Sequence, residues 1–280
     1  MRHKALIILT LAPFLTQAAL HDKFGVPDFE QRNRHELCRH RPMVLDDSLH
    51  IYDCLHISSL LEYDLAGQSI AGWAKLDLVP DEDPMQRIDL RLGAILSIDS
   101  VSAGAYAVDS VSRHGQDSLQ IYVSPAIAVG DTVELTVYYH GHPPSIDPWG
   151  GMFFAAANGW QPEICYTLGD GLNLAEPPAN HAWLPCFNDP NDKVTSEFWM
   201  RVPSDRVAVG PGVRLATIDN GDSTQTWHYR LDQPVSTYLL FVSVSDYLIM
   251  TQRESGPVIE NFVYPSRWDP AQVHFLPVPQ

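Results

Sequence analysis

The stretch Leu49-His50-Ile51-Tyr52-Asp53-Cys54-Leu55-His56-Ile57 alternates apolar with polar side chains over most of its length. A period of two is typical of a half-buried β-strand, because successive side chains point to opposite faces of a sheet. The same pattern recurs at 70–78, 87–92, 95–101, 118–123, 132–139, 195–202, 207–209, 213–218, 226–231, 238–245 and 258–264. These runs predict a domain built from many short strands.

Turn-forming residues separate the predicted strands, for example at Ala66-Gly67, His114-Gly115 and Gly130-Asp131. Asp219-Asn220-Gly221-Asp222 is a strong hairpin signal. No window of ten or more residues beyond the N-terminal segment has a helical period, and the 22 prolines argue against long helices. We therefore predict an all-β fold, an antiparallel, multi-stranded β-sandwich or saddle-like domain.

The N-terminus has the features of a secretory signal peptide, which we place at residues 1–19. Arg2, His3 and Lys4 precede an apolar run at 5–15, and small residues follow, so that cleavage is expected after Ala18 or Ala19. The apolar run is too short to cross a bilayer, and no membrane span is expected. A buried N-terminal helix is the alternative. We expect an exported protein, secreted or periplasmic, with a polar leader at 20–44.

The composition is that of a globular protein, with 45% hydrophobic and 19% charged residues. The formal net charge of −16 argues against nucleic acid as a partner, because binding to phosphates needs clustered Lys and Arg.

Four cysteines, Cys38, Cys54, Cys165 and Cys186, allow three disulfide connectivities in an oxidising compartment. A Cys165–Cys186 disulfide is the first expectation, because the two residues flank one long loop. The alternative is that Cys54 and Cys186 are small buried hydrophobic side chains. No C-x-x-C spacing is present, so a thiolate zinc site has no support.

Two histidine pairs invite a metal-site interpretation. His35 and His40 in H-E-L-C-R-H are spaced by five, ~140° apart on a helix, whereas the zinc-protease motif spaces its histidines by four, ~40° apart. A solvated leader is therefore favoured there. His140 and His142 point the same way on an extended segment, but no third ligand is identifiable, and a strand exit into a turn is favoured. The acids of 81–83, between two prolines, are interpreted as a solvated loop.

Glu176 is a candidate binding residue because of its setting. It follows a glycine-containing run at 169–174 and precedes Pro177-Pro178, which stiffen the backbone. The apolar element Trp183-Leu184-Pro185-Cys186 then offers an anchor that would hold the loop against the sheet. A carboxylate on a rigid segment can pair with a substrate ammonium group. On these residues alone, an ordinary exposed loop acid is the favoured interpretation.

The stretch from Glu176 to Lys193 resembles the N-terminal domain of the M1 family of zinc aminopeptidases. The resemblance lies in Glu176-Pro177, Trp183-Leu184-Pro185-Cys186, Asp189-Pro190 and Asp192-Lys193, which fall at matching intervals. It extends to residues 49–53, 130–144, 150–154, 226–229 and 234–247, and so covers roughly 45–265.

This resemblance implies that Glu176 binds the free amino group of a peptide substrate. His181 stands where the family has Arg, and Leu174 where Gln is frequent. The resemblance also implies zinc in the full-length enzyme, held by an H-E-x-x-H helix in a catalytic domain that additionally carries a G-x-M-E-N element. Neither motif occurs in this sequence. We therefore expect no metal or catalytic residue in this chain, no hydrolysis by it alone, and a linker at 266–280 toward a missing catalytic domain.

Two other functions stay open at this stage. The first is a stand-alone secreted β-sandwich that binds peptides or other partners without catalysis. The second is a metal enzyme using His35 and His40, which the spacing disfavours.

Overall fold

The computed structural model describes residues 51–81, 84–115, 117–147, 150–169, 179–187, 189, 191–252 and 258–275. Strands dominate this part of the chain, which confirms the predicted all-β class. The first set of strands is β1 (Tyr52–Asp64), β2 (Ser69–Pro80), β3 (Met85–Arg91), β4 (Ser97–Ser102), β5 (Ala107–His114), β6 (Ser118–Ile127), β7 (Val133–Gly141), β8 (Ser145–Asp147), β9 (Gly150–Ala155) and β10 (Ile164–Leu168). The second set is β11 (Lys193–Pro203), β12 (Val207–Val209), β13 (Val213–Asp219), β14 (Thr224–Ser236), β15 (Ser243–Ser245), β16 (Leu248–Gln252) and β17 (Ile259–Val263).

The largest sheet has seven strands in the order β13-β14-β11-β1-β2-β7-β4. Neighbouring strands are antiparallel except β1 and β11, which pair in parallel at its centre, with Ile57 opposite Ser196. Strands β1 and β11 are distant in the sequence, so this sheet joins the two halves of the chain.

A register shift between Cys54 and His56 sets which side chains of β1 reach the core. Before the shift, the buried side chains are those of Tyr52 and Cys54. Beyond the shift, Ile57 and every second residue that follows Ile57 are buried. Leu55, at the shift, is 45% exposed although it is apolar. An irregularity of this kind changes the parity of a strand, because one extra residue exchanges its two faces.

Three smaller sheets complete the domain among the described residues. They have the strand orders β12-β15-β10-β9-β8, β3-β6-β5 and β16-β17. One continuous hydrophobic core contains side chains from the seven-, five- and three-stranded sheets, such as Leu61, Ile121 and Val244, together with Trp183 and Leu184 from the connection between β10 and β11.

Helices in the described part of the chain are short, in agreement with the absence of a helical period. They are α1 (Trp268–Phe275) and three 3-10 turns, Ala179–Ala182, Thr237–Leu239 and Pro265–Arg267. Helix α1 packs beside Met250 and Val263 of the two-stranded sheet. No described helix is long and apolar enough to cross a membrane.

The strand predicted at 238–245 is largely wrong, since only Ser243–Ser245 forms a strand there and a 3-10 turn at Thr237–Leu239 precedes it. The physical reason is that the carbonyl oxygens of Thr237 and Leu240 accept hydrogen bonds from the side chain of Asn180 rather than from a neighbouring strand.

Candidate functional site

The predicted binding residue Glu176 lies outside the described residues, as do Cys38, His35 and His40. The structure does describe the two ends of the connection that carries Glu176. The described part of the chain stops at Gly169, directly after β10, and begins again at Ala179. We call residues 179–186, the 3-10 turn and the four residues after it, the anchor segment.

The anchor segment is buried from Asn180 to Cys186. Trp183 and Leu184 have no exposed surface, and the ring of Trp183 meets the ring of Phe198 on β11 edge to face, with centroids 6.1 Å apart. The hydroxyl of Tyr139 on β7 donates to the carbonyl oxygen of Trp183 at 2.9 Å. The predicted apolar anchor is therefore confirmed, since this segment is part of the domain core.

Asn180 joins the anchor segment to the residues that precede β15. Its Nδ2 donates to the carbonyl oxygens of Thr237 and, at 2.9 Å, Leu240. Gly169 is in contact with the same region, because a Cβ atom added to it would lie 2.1 Å from the Tyr238 carbonyl oxygen and 3.3 Å from Asn180 Oδ1. Gly169 and Asn180, which stand on either side of the connection that carries Glu176, are therefore close together in space.

A charged cluster holds the other side of the anchor segment. We call Arg91, Asp117 and His181 the Asp117 cluster. His181 Nε2 donates to Asp117 Oδ2 at 2.9 Å, and Arg91 Nη2 donates to the same oxygen at 2.6 Å. The Gly93 amide also donates to the His181 carbonyl oxygen at 2.7 Å. The cluster links the anchor segment to the end of β3 and to the turn before β6.

The hydrogen bond from His181, together with the nearby guanidinium of Arg91, holds the pKa of the Asp117 carboxyl below its ordinary value. A lowered pKa means that the folded state favours the charged form. The resulting stabilisation is present above the ordinary carboxyl pKa, about pH 4, and is lost only as the pH falls through the lowered value. At neutral pH the Asp117 carboxylate is therefore ionised, as its bonds to Arg91 and His181 require.

Backbone pairing fixes the end of the anchor segment. Arg91 and Cys186 exchange hydrogen bonds in both directions, at 3.0 and 3.2 Å. Beyond it, Asp189 Oδ1 accepts from the Asn191 amide at 2.8 Å, and Asp192 Oδ1 accepts from the Cys54 amide at 3.2 Å. Asp189 and Asp192, two acids of the family resemblance, are thus turn and strand-joining residues shortly before β11.

The expected Cys165–Cys186 disulfide is wrong for this structure, because Cys165 has a free, buried thiol. The two residues flank one loop in the sequence but pair with different strands in space. Cys165 is on β10, between β9 and β15, whereas Cys186 pairs with Arg91 at the end of β3. Cys54 and Cys186 are both buried, as the alternative interpretation predicted.

Cys165 should resist alkylation in the folded chain at pH 8 and react fully after denaturation without reductant. Burial raises the pKa of its thiol, so the reactive thiolate is scarce, and the sulfur is also shielded from reagent. Peptide mass mapping of iodoacetamide-treated protein measures this. Recovery of a Cys165–Cys186 disulfide peptide from the denatured, unreduced chain is the opposite result.

The second histidine pair does not form a joint metal site. His140 Nδ1 lies 2.9 Å from Asp99 Oδ1, whereas His142 Nδ1 donates to the Gln68 carbonyl oxygen at 3.1 Å. Both are exposed at the exit of β7, as a strand end entering a turn should be. Across the residues that the structure describes, no group of three or more His, Cys, Asp or Glu side chains is placed to hold a metal ion.

Solved structures share this fold. An M1 zinc metallopeptidase from Deinococcus radiodurans superposes with a TM-score of 0.59 at 20% identity, over 75% of this chain and 47% of its own. Yeast LTA4 hydrolase superposes with a TM-score of 0.62 at 15% identity, over 81% of this chain and 33% of its own. In fold, the chain resembles the N-terminal domain of M1 zinc metallopeptidases. This result confirms the resemblance first drawn from residues 176–193.

Sequence comparison gives a shorter match to this M1-like domain. Leucine aminopeptidase 2 of Vanderwaltozyma polyspora is 29% identical over 86 residues, which are 31% of this chain and 12% of the yeast protein. No family model matches the chain. The chain spans less than half the length of the two solved proteins that it resembles in fold.

Sequence reasoning missed several residues that hold the anchor segment in place, namely Arg91, Gly93, Asp117, Tyr139 and Asn180. They come from strands and turns far from residues 176–193 in the sequence. The available signal was His181, a basic residue in the element that follows Glu176. Its burial requires an acceptor, but the sequence does not say which acid supplies it.

Proposed function

We propose that this chain is the N-terminal, substrate-side domain of an exported M1-type zinc metallo-aminopeptidase, which at full length removes N-terminal residues from peptides. In this proposal Glu176 binds the free amino group of the peptide. The observation that carries the proposal is the anchor segment. Immediately after Glu176 and its two prolines, the backbone enters a buried segment that is bonded to β3, β7 and residues 237–240.

A carboxylate recognises an ammonium group best when its position is set before the ligand arrives, because ordering a flexible loop reduces the binding free energy. The anchor segment supplies such a support three residues after Glu176. The chain's net charge of −16 also favours the approach of a positively charged peptide terminus. In support, a variant of the Deinococcus radiodurans metallopeptidase has been crystallised with a Tyr-Ser-Ala substrate.

The residues that the structure describes do not fit a catalytic zinc ion. Such a site needs three protein ligands, and the described residues place no group of three suitable side chains together. The sequence also contains neither H-E-x-x-H nor G-x-M-E-N. We assign zinc binding and hydrolysis to a catalytic domain outside these 280 residues, and propose that this chain alone is inactive.

The test is the affinity of the chain for Tyr-Ser-Ala compared with its N-acetylated form, measured by isothermal titration calorimetry. The free peptide should bind more tightly, and Glu176→Gln should lower its affinity about tenfold, because a charge-assisted hydrogen bond is lost. Glu134→Gln is the control, since this exposed acid pairs with Lys75 on the seven-stranded sheet, away from the anchor segment. Neither peptide should be hydrolysed, with or without added zinc.

Equal affinity for the two peptides would contradict the recognition role. A second candidate function, a stand-alone secreted β-sandwich that binds peptides or other partners without catalysis, then becomes the better account. The coding sequence beyond residue 280 separates the two independently. An H-E-x-x-H element there supports the aminopeptidase proposal, and a stop codon directly after Gln280 supports the stand-alone module.

A further inference from the structure

The Asp117 cluster lies against the 3-10 turn at Ala179–Ala182, which follows the proposed amine-binding residue. The His181 side chain is 6% exposed and that of Asp117 is 22% exposed. Arg91 reaches the same carboxylate oxygen as His181, so the acid is shared between a guanidinium and an imidazole.

The Asp117 cluster closes a ring of contacts around the anchor segment. The side chain of Arg91 holds Asp117, which holds His181 at one end of the segment, while the backbone of Arg91 pairs with Cys186 at the other end. Asp117 is itself held, because its carbonyl oxygen accepts from the Leu92 amide at 2.8 Å. The anchor segment cannot shift along β3 without breaking one of these bonds.

This arrangement is poorly explained by stability alone. Burying charged groups costs free energy, and well-packed apolar side chains are often as stabilising as an ion pair in the same place. The adjoining residues Ala182, Trp183 and Leu184 are already packed in the core. A directional, charge-assisted hydrogen bond additionally gives the 3-10 turn at Ala179–Ala182 a defined position.

We propose that Asp117 is a positioning residue for amine recognition, acting through His181 on the anchor segment. The inference rests on the proposed function, because the residue that it serves is the amine-binding carboxylate. Asp117 does not touch the substrate in this account. It fixes the position of His181 in the anchor segment, which begins three residues after Glu176.

The variant Asp117→Asn tests this role through a ratio, the affinity for Tyr-Ser-Ala divided by that for its N-acetylated form. The ratio cancels any unfolded fraction, because both peptides are measured on one protein sample. We expect it to fall roughly fivefold to tenfold, the size of one lost intramolecular hydrogen bond. Asp99→Asn is the matched control, because Asp99 also pairs with a histidine, His140, but on the exposed surface.

A second pair of variants separates positioning from folding. His181→Gln keeps an N–H donor that can reach Asp117 and should retain most of the ratio, whereas His181→Leu keeps volume without a donor and should lose it. An unchanged ratio in Asp117→Asn, or equal ratios in the two His181 variants, overturns the positioning role while the proposed function stands. If the unmodified chain does not prefer the free peptide, the proposed function fails, and the positioning role fails with it.

Discussion

Replacing Trp183 with alanine is expected to lower the free energy of unfolding of this chain by about 3–5 kcal/mol. The indole has no exposed surface and packs against Phe198 within the main core. Its Nε1 has no hydrogen-bond partner within the described part of the chain, so the loss comes from packing and from the cavity that remains. Urea unfolding followed by circular dichroism measures the shift in midpoint.

Trp160→Ala is the control for this prediction, because Trp160 is 42% exposed and its backbone makes the hydrogen bonds with Asn158 and Ser266. Substitutions at such surface sites usually change stability by less than about 0.5 kcal/mol. If the two tryptophan variants unfold at the same urea concentration, the anchor segment is not part of the cooperative core.

Gly169→Ala should destabilise the chain toward the upper end of the ~1–3 kcal/mol that overpacking costs, and should also abolish the preference for a free amino terminus. The added Cβ would lie 2.1 Å from the Tyr238 carbonyl oxygen, a backbone atom that no rotamer change can move away. The chain must therefore shift where the Glu176 connection begins. Unfolding midpoints and the ratio of the two peptide affinities measure the two effects.

Gly159→Ala is the matched control, since nothing lies within 4 Å of the position that its Cβ would take. That variant should be neutral or slightly stabilising, by up to ~1 kcal/mol, because alanine restricts the unfolded chain. A Gly169→Ala protein as stable as Gly159→Ala would show that the contact with Tyr238 can relax freely.

The strands that the sequence predicted best are those with one buried and one exposed face. Strands β2 and β7, for example, alternate along their length. Strand β5 was missed because it is mostly exposed on both faces, so no alternation marks it. Strand β10 was missed because it is short and most of its residues are buried.

The site was predicted in its local features only. Glu176, the turn formers and the apolar residues of the anchor segment are neighbours in the sequence, so their order alone indicated a supported loop. Arg91 and Asp117 both lie beside His181 because β3 pairs with β6, with Arg91 opposite Ser118. No period or motif in one sequence encodes that meeting, and the same limit explains the wrong Cys165–Cys186 disulfide.

By itself, the sequence determined that this protein is an all-β domain with a carboxylate ahead of an apolar anchor, because side-chain alternation, turn chemistry and residue order are local properties. The tertiary structure alone decided the parity of β1 at its irregularity, the parallel pairing of β1 with β11, and the acid that holds His181. These three features depend on contacts between residues that are distant in the sequence. Such contacts form because several sheets pack around one common hydrophobic core.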